Sequence, residues 1–208
     1  MPVTDYTNYR FPVPEAARLA SLGGIEQDLR GVIAYCSLLV ERSEIEKLNF
    51  VEWEAISSAA VVRYARCFSS GVRDSLEHDL LDTADIDLKE AHRFFIDLRN
   101  KHVAHSVNPF EENDVTLQIA AHFQSSQEIF AVHTAHGRRI GLSFGAPDQL
   151  KRLAEWVLLK VEEEMKTEKD KLLQVARQRP LAELKAHGVP QAAASASDNN
   201  VGQRRKHP

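Results

Sequence analysis

Between Ile25 and Val40 the apolar residues Ile25, Leu29, Val32, Ile33, Cys36, Leu39 and Val40 return every three or four positions. Helical geometry stacks side chains at that spacing on one face, whereas a strand sends successive side chains to opposite faces. A stripe of this length has to be covered, so the chain is committed to packing helix on helix. The period recurs between Phe50 and Ser70, where Trp53, Ile56, Ala60, Tyr64 and Cys67 share a face. It appears again from Asp148 to about Arg179, through Leu150, Leu153, Val157, Val161 and Met165. A further helix, capped by Asp85 or Asp87 and running to about Val107, turns Leu88, Ala91, Phe95 and Leu98 inward.

Breakers and a change of period mark the rest. Gly23-Gly24 predicts the end of a short helix over 15–22, with the first long helix following over Ile25 to Leu48, because glycine takes the left-handed angles of a helix end. Gly71 predicts the stop of the second long helix, and Asn108 before Pro109 stops the third. Met1 to Pro14, rich in Tyr, Pro and Thr, reads as irregular. From Asp114 to Phe144 the period falls to two. Val115, Leu117 and Ile119 alternate with polar or small residues, Ile129 to Val132 follows, and Gly137-Arg138-Arg139 turns the chain into Ile140 to Phe144. This predicts a three-stranded antiparallel meander. Beyond Gly188, Ala, Ser, Asn, Gln and Pro dominate and end in Arg204-Arg205-Lys206, a composition without apolar surface to bury. The expected fold is mainly α: one helical-bundle domain over 1–187, with a small antiparallel β meander (about 114–144) inserted before a long C-terminal helix, then a disordered tail over 188–208.

A chain of 208 residues that is 43% hydrophobic can fill one core. Its 30 acidic and 26 basic side chains leave a net charge of -4, so any nucleic-acid binding has to come from a local patch. Arg63, Arg66 and Arg73 form one such patch and are candidate RNA-binding residues, with a solvated or paired helix face as the alternative. Cys36 and Cys67 occupy apolar helical positions rather than a close metal-type pair, which fits a reducing cytoplasm. No apolar run approaches the roughly 18 residues of a membrane helix, and the N-terminus has no basic-then-apolar signal pattern. A cytoplasmic protein without membrane insertion or export is expected.

The chemistry concentrates at the end of the third helix. His102 and His105 continue the row of Leu88, Ala91, Phe95 and Leu98, so two imidazoles stand where a core helix places leucine. Arg99 lies one turn from His102 and two from His105, and the last turn of a helix favours a protonated imidazole. Arg99-Asn100 followed by His105, an arginine, a polar residue and a histidine closing an interior helix, resembles the signature of the HEPN family (higher eukaryotes and prokaryotes nucleotide-binding). That resemblance implies a HEPN-like helical bundle, a homodimer, and a metal-independent ribonuclease of a toxin–antitoxin or phage-defence system restrained by an antitoxin or other inhibitory protein. In some members a tyrosine two residues after the histidine is modified by a partner enzyme. Val107 stands there in this chain.

The same residues suit the reaction on their own chemistry. RNA cleavage without a metal needs a base for the 2′-hydroxyl proton, an acid for the leaving oxygen and cations for the charge on phosphorus. His105 serves as proton carrier, Arg99 forks onto phosphate oxygens, Asn100 holds the imidazole or a phosphate oxygen, and His102 supplies a second proton carrier. A two-fold axis would bring Arg99 and His105 of both copies into one cleft. No cofactor and no metal is expected, since neither His102 with His105 nor His133 with His136 has a third ligand beside it.

Each residue also has a structural reading. Arg99 can pair with Asp97, Glu52 or Glu54; His102 can be a hydrogen-bonded core or interface histidine; His92 reads as a solvated or capping residue. The charged run from Glu162 to Lys171 is a solvated face or a dimer contact. The alternative for the whole protein is a non-catalytic nucleotide- or RNA-binding module, or a helical dimerisation module.

Overall fold

The computed structural model describes residues 7–43, 49–71, 73–103, 111–119, 129–138, 141–143 and 145–188. Four long helices carry the architecture: α1 (Ala17–Ser43), α2 (Phe50–Arg66), α3 (Ile86–Leu98) and α4 (Ala146–Arg177). A hairpin of β1 (Glu111–Ile119) and β2 (Ile129–Arg138) stands between α3 and α4, and a short α5 (Leu181–Ala186) follows α4. Two 3-10 turns, Pro14–Ala16 and His78–Thr83, precede α1 and α3. The fold is mainly helical with a small antiparallel sheet ahead of a long C-terminal helix, as the periodicity predicts.

The stripes read from the sequence meet in one core. Ile25, Leu29, Val32, Cys36 and Leu39 of α1 pack with Val61 and Tyr64 of α2, Phe95 of α3, and Leu150, Leu153, Val157 and Val161 of α4. Burying each of the larger apolar side chains stabilises the fold by about 1.5–3 kcal/mol relative to exposure. α1 lies against both α2 and α4, and α3 against the other side of the same pair. Asn49 starts α2 with a reciprocal cap: its Oδ1 accepts the Glu52 N–H at 3.0 Å, and the Glu52 carboxylate accepts the Asn49 N–H at 3.3 Å.

The glycine pair does not break the first helix. α1 runs through Gly23-Gly24 from Ala17, because Leu22 and Ile25 on either side are fully buried and continue one stripe. Glycine serves close approach here: a Cβ on Gly24 would come within 2.9 Å of the Arg73 guanidinium. α2 ends at Arg66, with Cys67 as its C-cap, before the expected stop at Gly71. Downstream, α4 begins after Gly145, whose φ of 85° is left-handed, and carries Pro147 in its first turn. Pro180 separates α4 from α5, a helix the periodicity did not predict.

The meander has two strands where three were expected. β1 pairs antiparallel with β2 from Glu111↔Arg138 to Ile119↔Ile129, with an irregularity between Gln118 and Ile119. Gly141 to Ser143 forms no strand, since α2 takes both ladder groups of Leu142. The Leu142 N–H donates to Ser57 Oγ at 3.1 Å, and its carbonyl accepts the Trp53 indole N–H at 3.0 Å. Gly141, at φ 66°, lets the chain pass against the Trp53 ring, where a Cβ would collide. Ile140, Phe144 and the tail beyond Gly188 lie outside the described residues. Among those described, no helix is long and apolar enough to cross a membrane.

Candidate functional site

α3 changes winding at the residues that carry the sequence signature. Through Leu98 it is α-helical; Arg99–Val103 then forms a π turn that packs against α2. A π turn closes i→i+5 rather than i→i+4, and the extra residue rotates the chain beyond it by roughly 100° from the α register. The row of Leu88, Ala91, Phe95 and Leu98 therefore ends at Leu98, and His102 does not continue it as an α period requires. Such turns occur frequently at functional sites, where they re-aim backbone without ending a helix.

Arg99 is half-buried, and its Nη1 donates to the neighbouring Asn100 Oδ1 at 2.9 Å. Two carboxylates that could have been its structural partners are engaged elsewhere. Asp97 pairs with Lys101 at 2.9 Å, and Glu52 closes the α2 cap. Among the described residues no carboxylate forms an ion pair with Arg99. The His102 backbone lies in the π turn, while its side chain and the whole of His105 lie outside the described residues. The structure thus brings Arg99 and Asn100 together at the helix end.

The arginine cluster has a partner that periodicity alone did not place. Asp28 on α1 is only 2% exposed, and Arg66 grips both of its carboxylate oxygens while Arg73 Nη2 reaches Oδ2 at 2.9 Å. Burial pushes the Asp28 carboxyl upward, but hydrogen bonds from Arg66 and Arg73 outweigh it and hold the group below its ordinary range. Arg63 lies over the Tyr35 ring, 5.2 Å from its centroid. Arg66 and Arg73 thus hold a buried acid, and Arg63 stacks on an aromatic ring.

A second polar constellation joins three segments. His92 is 6% exposed rather than solvated or capping, and both of its ring nitrogens are occupied. Tyr64 Oη lies 2.8 Å from His92 Nδ1, and His78 Nδ1 lies 2.8 Å from His92 Nε2. The hydrogen-bond balance assigns the direction. The fully buried Tyr64 hydroxyl has His92 as its hydrogen-bond partner among the described residues, so it donates to Nδ1. His92 then donates from Nε2 to His78, and His78 keeps an Nε2–H. Burial first, then the neighbouring His78 and Arg93 charges, lower the His92 pKa to about 4. Burial likewise raises the Tyr64 phenol well above its ordinary value. Phe68 stacks on His78 at 5.4 Å and meets the edge of His92 at 4.6 Å.

This relay opens on a cleft of about 550 Å³ that follows α3 from Lys89 to Asp97, with Arg93, Asp79 and Asp82 among its walls. The cleft ends two residues before Arg99. One sequence signal for His92 was available: it stands three positions before Phe95 and four after Leu88, at inward spacing. Its partners come from 28 and 14 residues away, which local pattern does not reveal.

Both cysteines are buried and unpaired, and burial pushes their thiols up to about 12. Among the described residues no three metal-ligating side chains gather, and His133 Nε2 lies 3.2 Å from Gln118 Oε1 across the hairpin. No protein-family model matches the chain, and neither a curated protein nor a solved structure does so.

Proposed function

We propose that this protein is a metal-independent endoribonuclease of the HEPN type, acting in the cytoplasm as a homodimeric toxin or phage-defence enzyme under an antitoxin or other inhibitory partner. The observation that carries the reading is the Arg99–Asn100 pair, set at the switch from α to π winding, with no carboxylate partner among the described residues to occupy the guanidinium. A guanidinium that lacks a carboxylate partner offers paired donors to a phosphate, and the polar neighbour fixes its orientation.

In the proposed reaction His105 takes the proton of the ribose 2′-hydroxyl while that oxygen forms a bond to phosphorus. The P–O5′ bond breaks, and the departing oxygen receives a proton from His102 or from His105 of the second copy. Arg99 and Asn100 hold the phosphate oxygens on which charge accumulates. The products are a 2′,3′-cyclic phosphate and a 5′-hydroxyl.

The test is cleavage of a labelled mixed RNA in EDTA by the native protein, Arg99→Ala and His105→Ala, with product ends identified. Cleavage by the native protein alone, leaving cyclic phosphate ends, is the expected result. Three inert but folded proteins would turn the conclusion to the non-catalytic nucleotide- or RNA-binding or helical dimerisation module, and 3′-hydroxyl ends would exclude the 2′-hydroxyl mechanism.

A further inference from the structure

The extended segment over 7–13, the second half of α4, and α5 enclose an open groove of about 440 Å³. The segment is tied down at both faces. The Arg10 N–H donates to the Gly188 carbonyl at 2.9 Å, and Arg179, itself paired with Glu183 at 2.9 Å, lies 5.7 Å from the centre of the Phe11 ring. Leu172 is buried in the floor, while Leu173 and Leu181 in the walls stay 47% and 64% exposed. An apolar concavity of this size is the usual form of a binding site, and it stands apart from the residues assigned to RNA cleavage.

Its charge is one-sided. Arg10, Lys169 and Lys185 line the groove and no acidic side chain does, on a chain whose net charge is -4. Among the described residues none of the three cations forms an ion pair. An enclosed pocket with a cationic mouth would suit a single acyl chain. This groove is open along its length and presents leucines from two helices, which suits the side of another helix.

We propose that the groove docks an acidic amphipathic helix of a partner protein, its apolar residues at i, i+3 or i+4, and i+7 covering Leu173 and Leu181 while flanking Asp or Glu residues meet Arg10, Lys169 and Lys185. The chain's own end is a poor occupant on composition: residues 189–208 carry the single acid Asp198 against Arg204-Arg205-Lys206, and Val201 is their only large aliphatic residue. Opposite charge across the rim sets the register of the helix and speeds its association, as at other charged interfaces.

The experiment selects 16-residue peptides from a phage-displayed random library on the full-length protein, with Leu181→Asp and the double variant Lys169→Glu/Lys185→Glu selected in parallel. Leu181 is largely exposed, so its substitution leaves the core intact, and the lysine variant tests the same groove without touching an apolar residue. The expected consensus spaces apolar residues by three or four and flanks them with Asp or Glu. A labelled consensus peptide should then bind the native protein, lose about tenfold or more in affinity to either variant, and regain affinity for the lysine variant when its acids become lysines. Arg99→Ala should bind it unchanged, which separates this proposal from the ribonuclease reading. The proposal is overturned if no peptide is enriched over the variants, or if the consensus is basic or uncharged. Sodium dodecanoate shifting the Leu173 and Leu181 methyl resonances without peptide enrichment would overturn it in favour of an acyl ligand. A native dimer that Leu181→Asp dissociates would overturn it in favour of a second copy.

Discussion

Replacing Tyr64 by phenylalanine removes one oxygen and leaves the ring beside Phe68 and Phe95, whose centroids lie 5.4 and 6.5 Å away. The change is confined to the hydrogen bond at 2.8 Å into His92 Nδ1. His92 is 6% exposed, so solvent does not take the place of the lost donor. Reversing the tautomer gives no escape, because Nδ1–H would then point at a phenyl ring while His78 would have to turn its own proton inward. A buried acceptor without a donor costs about 1–3 kcal/mol. With a urea dependence of ~2 kcal/mol per molar, the unfolding midpoint should fall by ~0.5–1.5 M, with unchanged slope. Urea titration followed by circular dichroism at neutral pH measures this directly. A midpoint within ~0.2 M of the native value at that slope, or above it, would refute the assigned direction of the relay.

Native stability should climb between about pH 4 and 6.5, because unfolded His92 binds a proton near 6.5 while the folded residue refuses it until about 4. The ceiling is ~3 kcal/mol, and urea midpoints across that window should flatten in His92→Gln; equal slopes in both proteins would contradict the account. Asp28→Asn removes the counter-charge that Arg66 and Arg73 share and should lower stability by about 1–3 kcal/mol, less than for a wholly buried pair because Arg66 is half-exposed. An unchanged melting temperature would count against a structural role for that cluster. Gly141→Ala combines a left-handed φ of 66° with a collision against Trp53 and should cost about 1–3 kcal/mol, read as a lower melting temperature with altered tryptophan emission.

The helical faces were legible because burial is periodic: the residues spaced from Ile25 to Leu39 and from Leu150 to Val161 are the ones that meet in the core. Punctuation was less reliable. Gly23-Gly24 carries the local chemistry of a stop, yet the guanidinium filling its open side belongs to Arg73, about fifty residues on. Alternation made Ile140 to Phe144 look like a third strand, but strand formation needs free ladder groups, and Ser57 and Trp53 claim those of Leu142. At the candidate site the sequence supplied Arg99 and Asn100 as neighbours, and the structure keeps them bonded. It did not supply the change of winding at that point, since side-chain spacing was read with a constant α period. Arg66 and Arg73 read as surface charge because Asp28, their counter-ion, lies on another helix.

The π turn at Arg99–Val103 separates two properties that a uniform helix ties together, its length and its phase. Deleting one residue within it shortens the chain by a single step yet returns the winding to α, rotating everything beyond by roughly 100° about the axis. Substitutions there interrogate one side chain at a time. A one-residue deletion keeps nearly every side chain and changes only where the later ones point, so it asks of the backbone what an alanine scan asks of the groups attached to it.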